Sequence, residues 1–192
     1  VVVEPPMTSL EAGRRLIRIN ADGVIDPDWT ITVAPSSAFS DVRLLPDGRT
    51  ILTGHFTGIR GIPARLLAWL HPDGKVDSTA IPFLGAFVQG WQSSGPWVGS
   101  TAVMGDGGLL VQGQFVVRTL GDPPQSWTNL VRLRADGSVN PALVSLPNVS
   151  WASRLTECPD GSVLLWNGRD CFRFRDDGSL DLEFLPRPSG YQ

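Results

Sequence analysis

Residues 44–54 read LLPDGRTILTG, an apolar run, then Pro-Asp-Gly, then a second apolar run. Asp-Gly occurs seven times in the chain, whereas the Asp and Gly content would give roughly 1.6 such steps by chance. The steps fall into two alternating classes. One has the form LIRINADGVIDPDW (16–29), LAWLHPDGKVDSTA (67–80), LVRLRADGSVNPAL (130–143) and CFRFRDDGSLDLEF (171–184). The other has the form SDVRLLPDGRTILTG (40–54), STAVMGDGGLLVQG (100–113) and SRLTECPDGSVLLWNG (153–168). Flanking apolar runs with a turn dipeptide between them spell β-hairpins. In such turns Pro presets the first central position and Asp suits the second. Gly takes the left-handed position of a three-residue loop with a bulge. The turn glycines are Gly23, Gly48, Gly74, Gly107, Gly137, Gly161 and Gly178.

Glycines of the first class fall at 23, 74, 137 and 178, so each repeat contains two hairpins and therefore four antiparallel strands, a to d. Short four-stranded units repeated along a chain are the signature of β-propeller blades. The chain is therefore expected to be all-β, with about three and a half blades at roughly 1–30, 40–82, 99–144 and 151–185 of a single repeat domain. The opening VVV (1–3) fits the b strand of a first blade, and no a strand precedes it. Propellers close with about four to eight blades, which suggests a segment of a larger propeller. A four-bladed ring with an irregular first blade and an assembly of two arcs are the alternatives. An open arc exposes apolar blade faces and strand edges, which invites association.

The phrases LVRLRADGSVNPAL and LLPDGRTILTG resemble the delta-60 repeat, a bacterial β-propeller-like repeat. Gly54, Gly113 and Gly168 match its glycine closing strand b. Asp26, Asp77 and Asp181 match its conserved Asp, from which Asn140 departs. Trp29 and Phe184 match its spaced aromatic, whereas Ala80 and Leu143 do not. The resemblance spans about residues 14–185 and implies a fold and a bacterial extracellular or cell-surface setting, with no shared active site. Independently of it, three-residue loops place Arg18 opposite Asp26, Arg132 opposite Asn140, Arg173 opposite Asp181 and Trp69 opposite Asp77.

Composition bounds function. The 192 residues, 42% hydrophobic and 18% charged, suffice for a folded core, and a net charge of −3 with dispersed arginines offers no surface for nucleic acid. No apolar run reaches the length of a membrane span, and the opening residues lack the basic and apolar regions of a signal peptide. Cys158 and Cys171 fall at opposite ends of one blade and are expected to be free thiols. Asn148-Val149-Ser150 is a glycosylation sequon.

In an antiparallel meander all tight turns lie at one end, so the variable connections 30–39, 56–63, 82–98, 114–128 and 144–150 gather at the other. Among them, PFLGAFVQGWQSSGPWV (82–98) and GDPPQSW carry aromatic rings. Phe87, Trp91, Trp97 and Trp127 are thus candidate ligand or partner residues, joined by His55 and Arg60 on the same rim. The competing reading is that the loop aromatics pack into satellite cores. His71 lies toward the turn end, apart from His55, so the pair is not a metal site. DGVIDPD (22–28) lacks calcium-loop spacing, and Gly105-Asp106-Gly107-Gly108 has no helix after it to cradle phosphate. Catalytic residues, metals and cofactors are not expected. The expected role is a non-enzymatic scaffold that presents its loop rim to a protein partner, or that completes a ring with other copies or segments. A carbohydrate-binding module is the alternative, and an enzyme with its site on the rim is the third reading.

Overall fold

Seven turns of one design organise the backbone. In the computed structural model, which describes residues 15–33, 38–56, 58–64, 66–79, 87–89, 97–118, 126–143, 149 and 153–184, all seven Asp-Gly glycines have φ between +76° and +83°. Each glycine N–H donates to the carbonyl three residues before it, at 2.8–3.0 Å. The preceding Asp also works: in every turn its Oδ1 accepts the N–H of the residue after the glycine, at 2.8–3.1 Å. Such a side-chain turn holds the left-handed glycine from both sides, so Asp and Gly recur together.

The chain is all-β, at 54% strand and 4% helix, and its small antiparallel sheets are of propeller-blade type. It divides into two compact units, Val1–Leu84 and Gly85–Gln192. In the first unit β1 (Arg15–Ile19) pairs with β2 (Ile25–Thr32). Next, β3 (Ala38–Leu44), β4 (Thr50–His55) and β7 (Leu67–Leu70) form a sheet in that order. Between β4 and β7 the chain makes a miniature hairpin, β5 (Gly58–Ile59) with β6 (Ile62–Pro63). In the second unit β8 (Phe87–Gln89), β9 (Trp97–Val103) and β11 (Ser126–Leu133) all pair with a ten-residue β10 (Leu109–Arg118). The last sheet runs β12 (Arg154–Glu157), β13 (Val163–Trp166), β14 (Cys171–Phe174). A 3-10 turn follows at Leu182–Phe184.

The fourth strand of a blade is long only in β2. Elsewhere the segment after the second Asp-Gly turn touches the sheet through one bridge each: Leu70 with Val76, Leu133 with Val139 and Phe174 with Leu180. The expected long connections are also partly ordered strand. Segment 82–98 supplies β8 and the start of β9, and β10 and β11 extend their pairing past a bulge to Arg118 and Ser126. The VVV run at 1–3 lies outside the described residues.

Burial differs from sheet to sheet. Residues 50–54 of β4 and all of β7 are buried, as are Leu109–Gly113 of β10 and Leu130–Leu133 of β11. Continuous burial of this kind marks strands covered on both faces, and it goes with their mostly apolar wording, interrupted by the buried Thr50, Thr53, Gln112 and Arg132. In β1, β2, β13 and β14 burial alternates, as it does when one face is packed and the other open. In the first unit one core joins Leu16, Trp29, Ile31 and Val33 of the first sheet to Leu52, Ala68, Leu70 and Val76 of the second. Phe56 and Ile59 of the miniature hairpin segment complete it. A connection expected to be a variable rim loop is therefore an internal brace, because Phe56 and Ile59 have more to gain inside.

Candidate functional site

At each blade's turn end the two Asp-Gly turns lie side by side. A Cβ built on Gly48 would lie 3.3 Å from Pro72, one on Gly107 3.6 Å from Ala135, and one on Gly161 3.4 Å from Asp176. The longer connections accordingly leave from the other end of each blade. His55 is exposed there, at the end of β4 opposite Ala38. The guanidinium of Arg60, a residue at φ +50°, donates to the carbonyls of Asp28, Thr30 and Gly74 at 2.8–3.3 Å. Its first duty is thus to tie the miniature hairpin to the β2 backbone and to the following turn.

Trp97 lies in β9, half-buried, with its indole N–H donating to Gln114 Oε1 at 3.0 Å. Its ring covers Gly99 so closely that a Cβ there would sit 2.5 Å from Trp97 Cζ3. That is the packing role the sequence left open against ligand binding. Phe87 and Trp127 both have their backbones opposite Val117, in β8 and β11. Trp91 lies outside the described residues. Among the described residues no group of three or more His, Cys, Asp or Glu could hold a metal ion. Cys158 and Cys171 are free thiols, and burial pushes the Cys171 thiol up, with Cys158 adding to the effect.

The best-built polar cluster was missed as such by the sequence reading. Arg18 pairs with Asp26 as expected, Nη2 to Oδ2 at 2.6 Å, and stacks over Trp29 at 5.4 Å. Arg132 and Arg173 face Asn140 and Asp181 in register, with the N–H of each opposite residue donating to the arginine carbonyl at 2.8 Å. Their guanidinium groups reach further: Arg173 Nη1 lies 4.0 Å from Asp181 Oδ2, and both arginines have a closer partner. Arg132 binds Asp106 at 2.5 Å and Arg173 pairs with Asp160, both in the other Asp-Gly turn of the same blade. Where Trp69 replaces the arginine, Asp47 of the corresponding turn holds Arg49 instead, at 2.7 Å. The signal was present: every second-class turn offers an Asp one strand away from the arginine.

Arg18 and Arg132 seat the next blade. Arg18 Nη1 donates to the Pro72 carbonyl at 2.7 Å, and Trp29 lies flat under Gly74, where a Cβ would meet Cδ1 at 3.0 Å. In the second unit a Cβ on Gly178 would overlap the Arg132 guanidinium. In both places the earlier blade has a forward face, built on its arginine or aromatic, that receives the second Asp-Gly turn of the following blade. Neighbouring sheets of the second unit are further joined where the Val103 N–H donates to Glu157 at 2.8 Å and the Leu155 N–H to Ser100 Oγ at 3.2 Å.

The chain is similar to known proteins in part. Residues 45–79 match the family described as a domain of unknown function (DUF5122) beta-propeller, a β-propeller-like repeat. That segment runs from one Asp-Gly turn of the second blade through the other. A crystal structure of a protein of unknown function from Bacteroides caccae is similar at 11% identity and a TM-score of 0.45 over 94% of this chain. The chain spans 55% of that structure's length. No curated protein matches.

Proposed function

We propose that the chain is a delta-60-type, non-enzymatic scaffold that presents its loop rim to a protein partner within a bacterial surface or secreted protein. The observation that carries this reading is the side-by-side seating of the paired turns, Gly48 at Pro72, Gly107 at Ala135 and Gly161 at Asp176. It commits one end of each blade to uniform short turns and leaves sequence variation to the other, the division of labour found in loop-bearing scaffolds. His55 is exposed on that rim. The wording of the repeats supports the delta-60 assignment and the extracellular setting.

The test immobilises the chain and its Trp91→Ala and His55→Ala variants, then exposes them to the surface and secreted protein fraction of the native bacterium and to a glycan array. A protein retained by the wild type and lost by either variant at unchanged melting temperature supports the reading. A defined glycan behaving the same way supports the carbohydrate alternative. Retention indifferent to both substitutions contradicts a rim site.

A further inference from the structure

We propose that Asn167 is a site of spontaneous covalent modification, where the Gly168 nitrogen closes a succinimide ring on the Asn167 side chain and water then opens that ring to isoaspartate. The reaction depends on the connection between β13 and β14 and not on what the loop rim binds, so the two readings fail separately.

Asn167-Gly168 is the one Asn-Gly step in the sequence, and glycine has no Cβ to shield its nitrogen from the neighbouring side chain. The step lies in the connection from Trp166 to Cys171, which face each other in register, and the Asn167 N–H closes that connection on the Asp170 carbonyl at 3.1 Å. Three features of this turn favour ring closure. Asn167 Oδ1 accepts the N–H of Arg169 at 2.9 Å and that of Asp170 at 2.6 Å. Two donors on one carbonyl oxygen polarise Cγ and stabilise the negative charge that the oxygen gathers when Cγ is attacked. The leaving group, Nδ2, is buried with no hydrogen-bond partner among the described residues, so nothing holds it and its unsatisfied N–H groups raise the energy of the intact amide. The nucleophile is equally uncommitted: the Gly168 N–H donates to no acceptor among the described residues.

The seven Asp-Gly turns supply the contrast. Their Asp Oδ1 also accepts the N–H of the residue after the glycine, but each glycine N–H is committed to the carbonyl three residues before it, at 2.8–3.0 Å. Ring closure there would first have to break that bond, and an ionised carboxylate is a poor electrophile besides. Other asparagines are protected in other ways. Asn140 precedes Pro141, which has no N–H to give up, and Asn129 has its Nδ2 held by the Val149 carbonyl at 3.1 Å. At Asn167 the Gly168 nitrogen forms a bond to Cγ and loses its proton, the Cγ–Nδ2 bond breaks, and the amide nitrogen leaves with that proton as ammonia. Water then adds to a ring carbonyl, with no oxidation or reduction in either step. Opening at the main-chain carbonyl lengthens the connection between β13 and β14 by one main-chain carbon and puts a carboxylate where a neutral amide stood.

The test incubates the folded 192-residue chain for several weeks at mildly alkaline pH, beside the same chain in denaturant, and maps the peptides by mass spectrometry with fragmentation that separates isoaspartate from aspartate. In the folded chain the peptide holding Asn167 should gain about 1 Da, with isoaspartate as the main product. It should do so at least about tenfold faster than any other asparagine peptide, while the seven Asp-Gly steps stay intact. In denaturant, which frees the glycine N–H groups, the Asp-Gly steps should rearrange as well. Asn167→Gln, whose longer side chain would need a larger ring, and Gly168→Ala should each slow the reaction at this position about tenfold or more, with circular dichroism to check folding. The Gln variant alone carries the comparison if Gly168→Ala misfolds. A folded chain that keeps Asn167 intact while the denatured chain converts it overturns the proposal. Rearrangement of the Asp-Gly steps as fast as Asn167 in the folded chain overturns it equally.

Discussion

Asn140 occupies the position where three other repeats carry Asp, and the structure explains why either residue serves. In all four repeats the side-chain oxygen accepts the backbone N–H two residues on: Asp28 from Asp26, Thr79 from Asp77, Ala142 from Asn140 and Glu183 from Asp181, at 3.0–3.2 Å. An amide does this as well as a carboxylate. Where an arginine comes within hydrogen-bond distance, as Arg18 does at Asp26 and Arg175 at Asp181, the residue is Asp. Asp26 and several of the turn carboxylates are held in their charged form by their partners. The Arg18 guanidinium holds Asp26 below the usual carboxylate range, the Lys75 ammonium does so for Asp73, and the Arg49 backbone N–H for Asp47. The hydroxyls of Ser138, Ser162 and Ser179 do the same for Asp136, Asp160 and Asp177. A carboxylate whose folded pKa is depressed stabilises the fold fully above its unfolded value and loses that contribution as pH falls through the folded one. Thermal melts should therefore be nearly flat from neutral pH down to about 4 and drop below it. A midpoint that rises on acidification would contradict these assignments.

Among the elements, the fourth segment of each of the last three blades is the weakest by construction. Val76, Val139 and Leu180 each join their sheet through one bridge, while β10 pairs along most of its length. Hydrogen exchange should then be faster at 76–79, 139–142 and 180–184 than at 109–113, with β2, a full eight-residue strand, protected like an inner one. Equal protection across these segments would mean that the fourth strands are complete in solution. Hairpins were legible in the sequence because Asp-Gly turn chemistry is local, and Gly48 needs no distant partner to adopt its conformation. Strand extents were less legible. Phe56 and Ile59 look like loop residues until the core they enter is known, and β8 depends on pairing with Val116 and Val117, which no local pattern announces.

At the scale of the molecule, opposition across a hairpin located Arg132 and Arg173 correctly in register, and Arg173 keeps Asp181 at 4.0 Å, yet their closer partners, Asp106 and Asp160, lie in the companion turn. The seats on which Gly74 and Gly178 rest join residues 45 or 46 positions apart, beyond any periodic signal within one hairpin. For the same reason Trp97 could be named from sequence but not assigned, since its partner Gln114 is fixed only once β9 and β10 pair. The central claim is that a turn glycine from one blade rests on the arginine or aromatic seat of the blade before it. The most direct measurement compares the unfolding free energies of Gly178→Ala and Gly23→Ala. Both substitutions force alanine into a left-handed turn, at φ +77° and +83°, which costs about 1–2 kcal/mol. At Gly23 the new methyl meets open space, whereas at Gly178 it collides with Arg132, a buried side chain held by Asp106. Gly178→Ala should lose at least about 1–3 kcal/mol more than Gly23→Ala, and equal losses would show that no such seat exists.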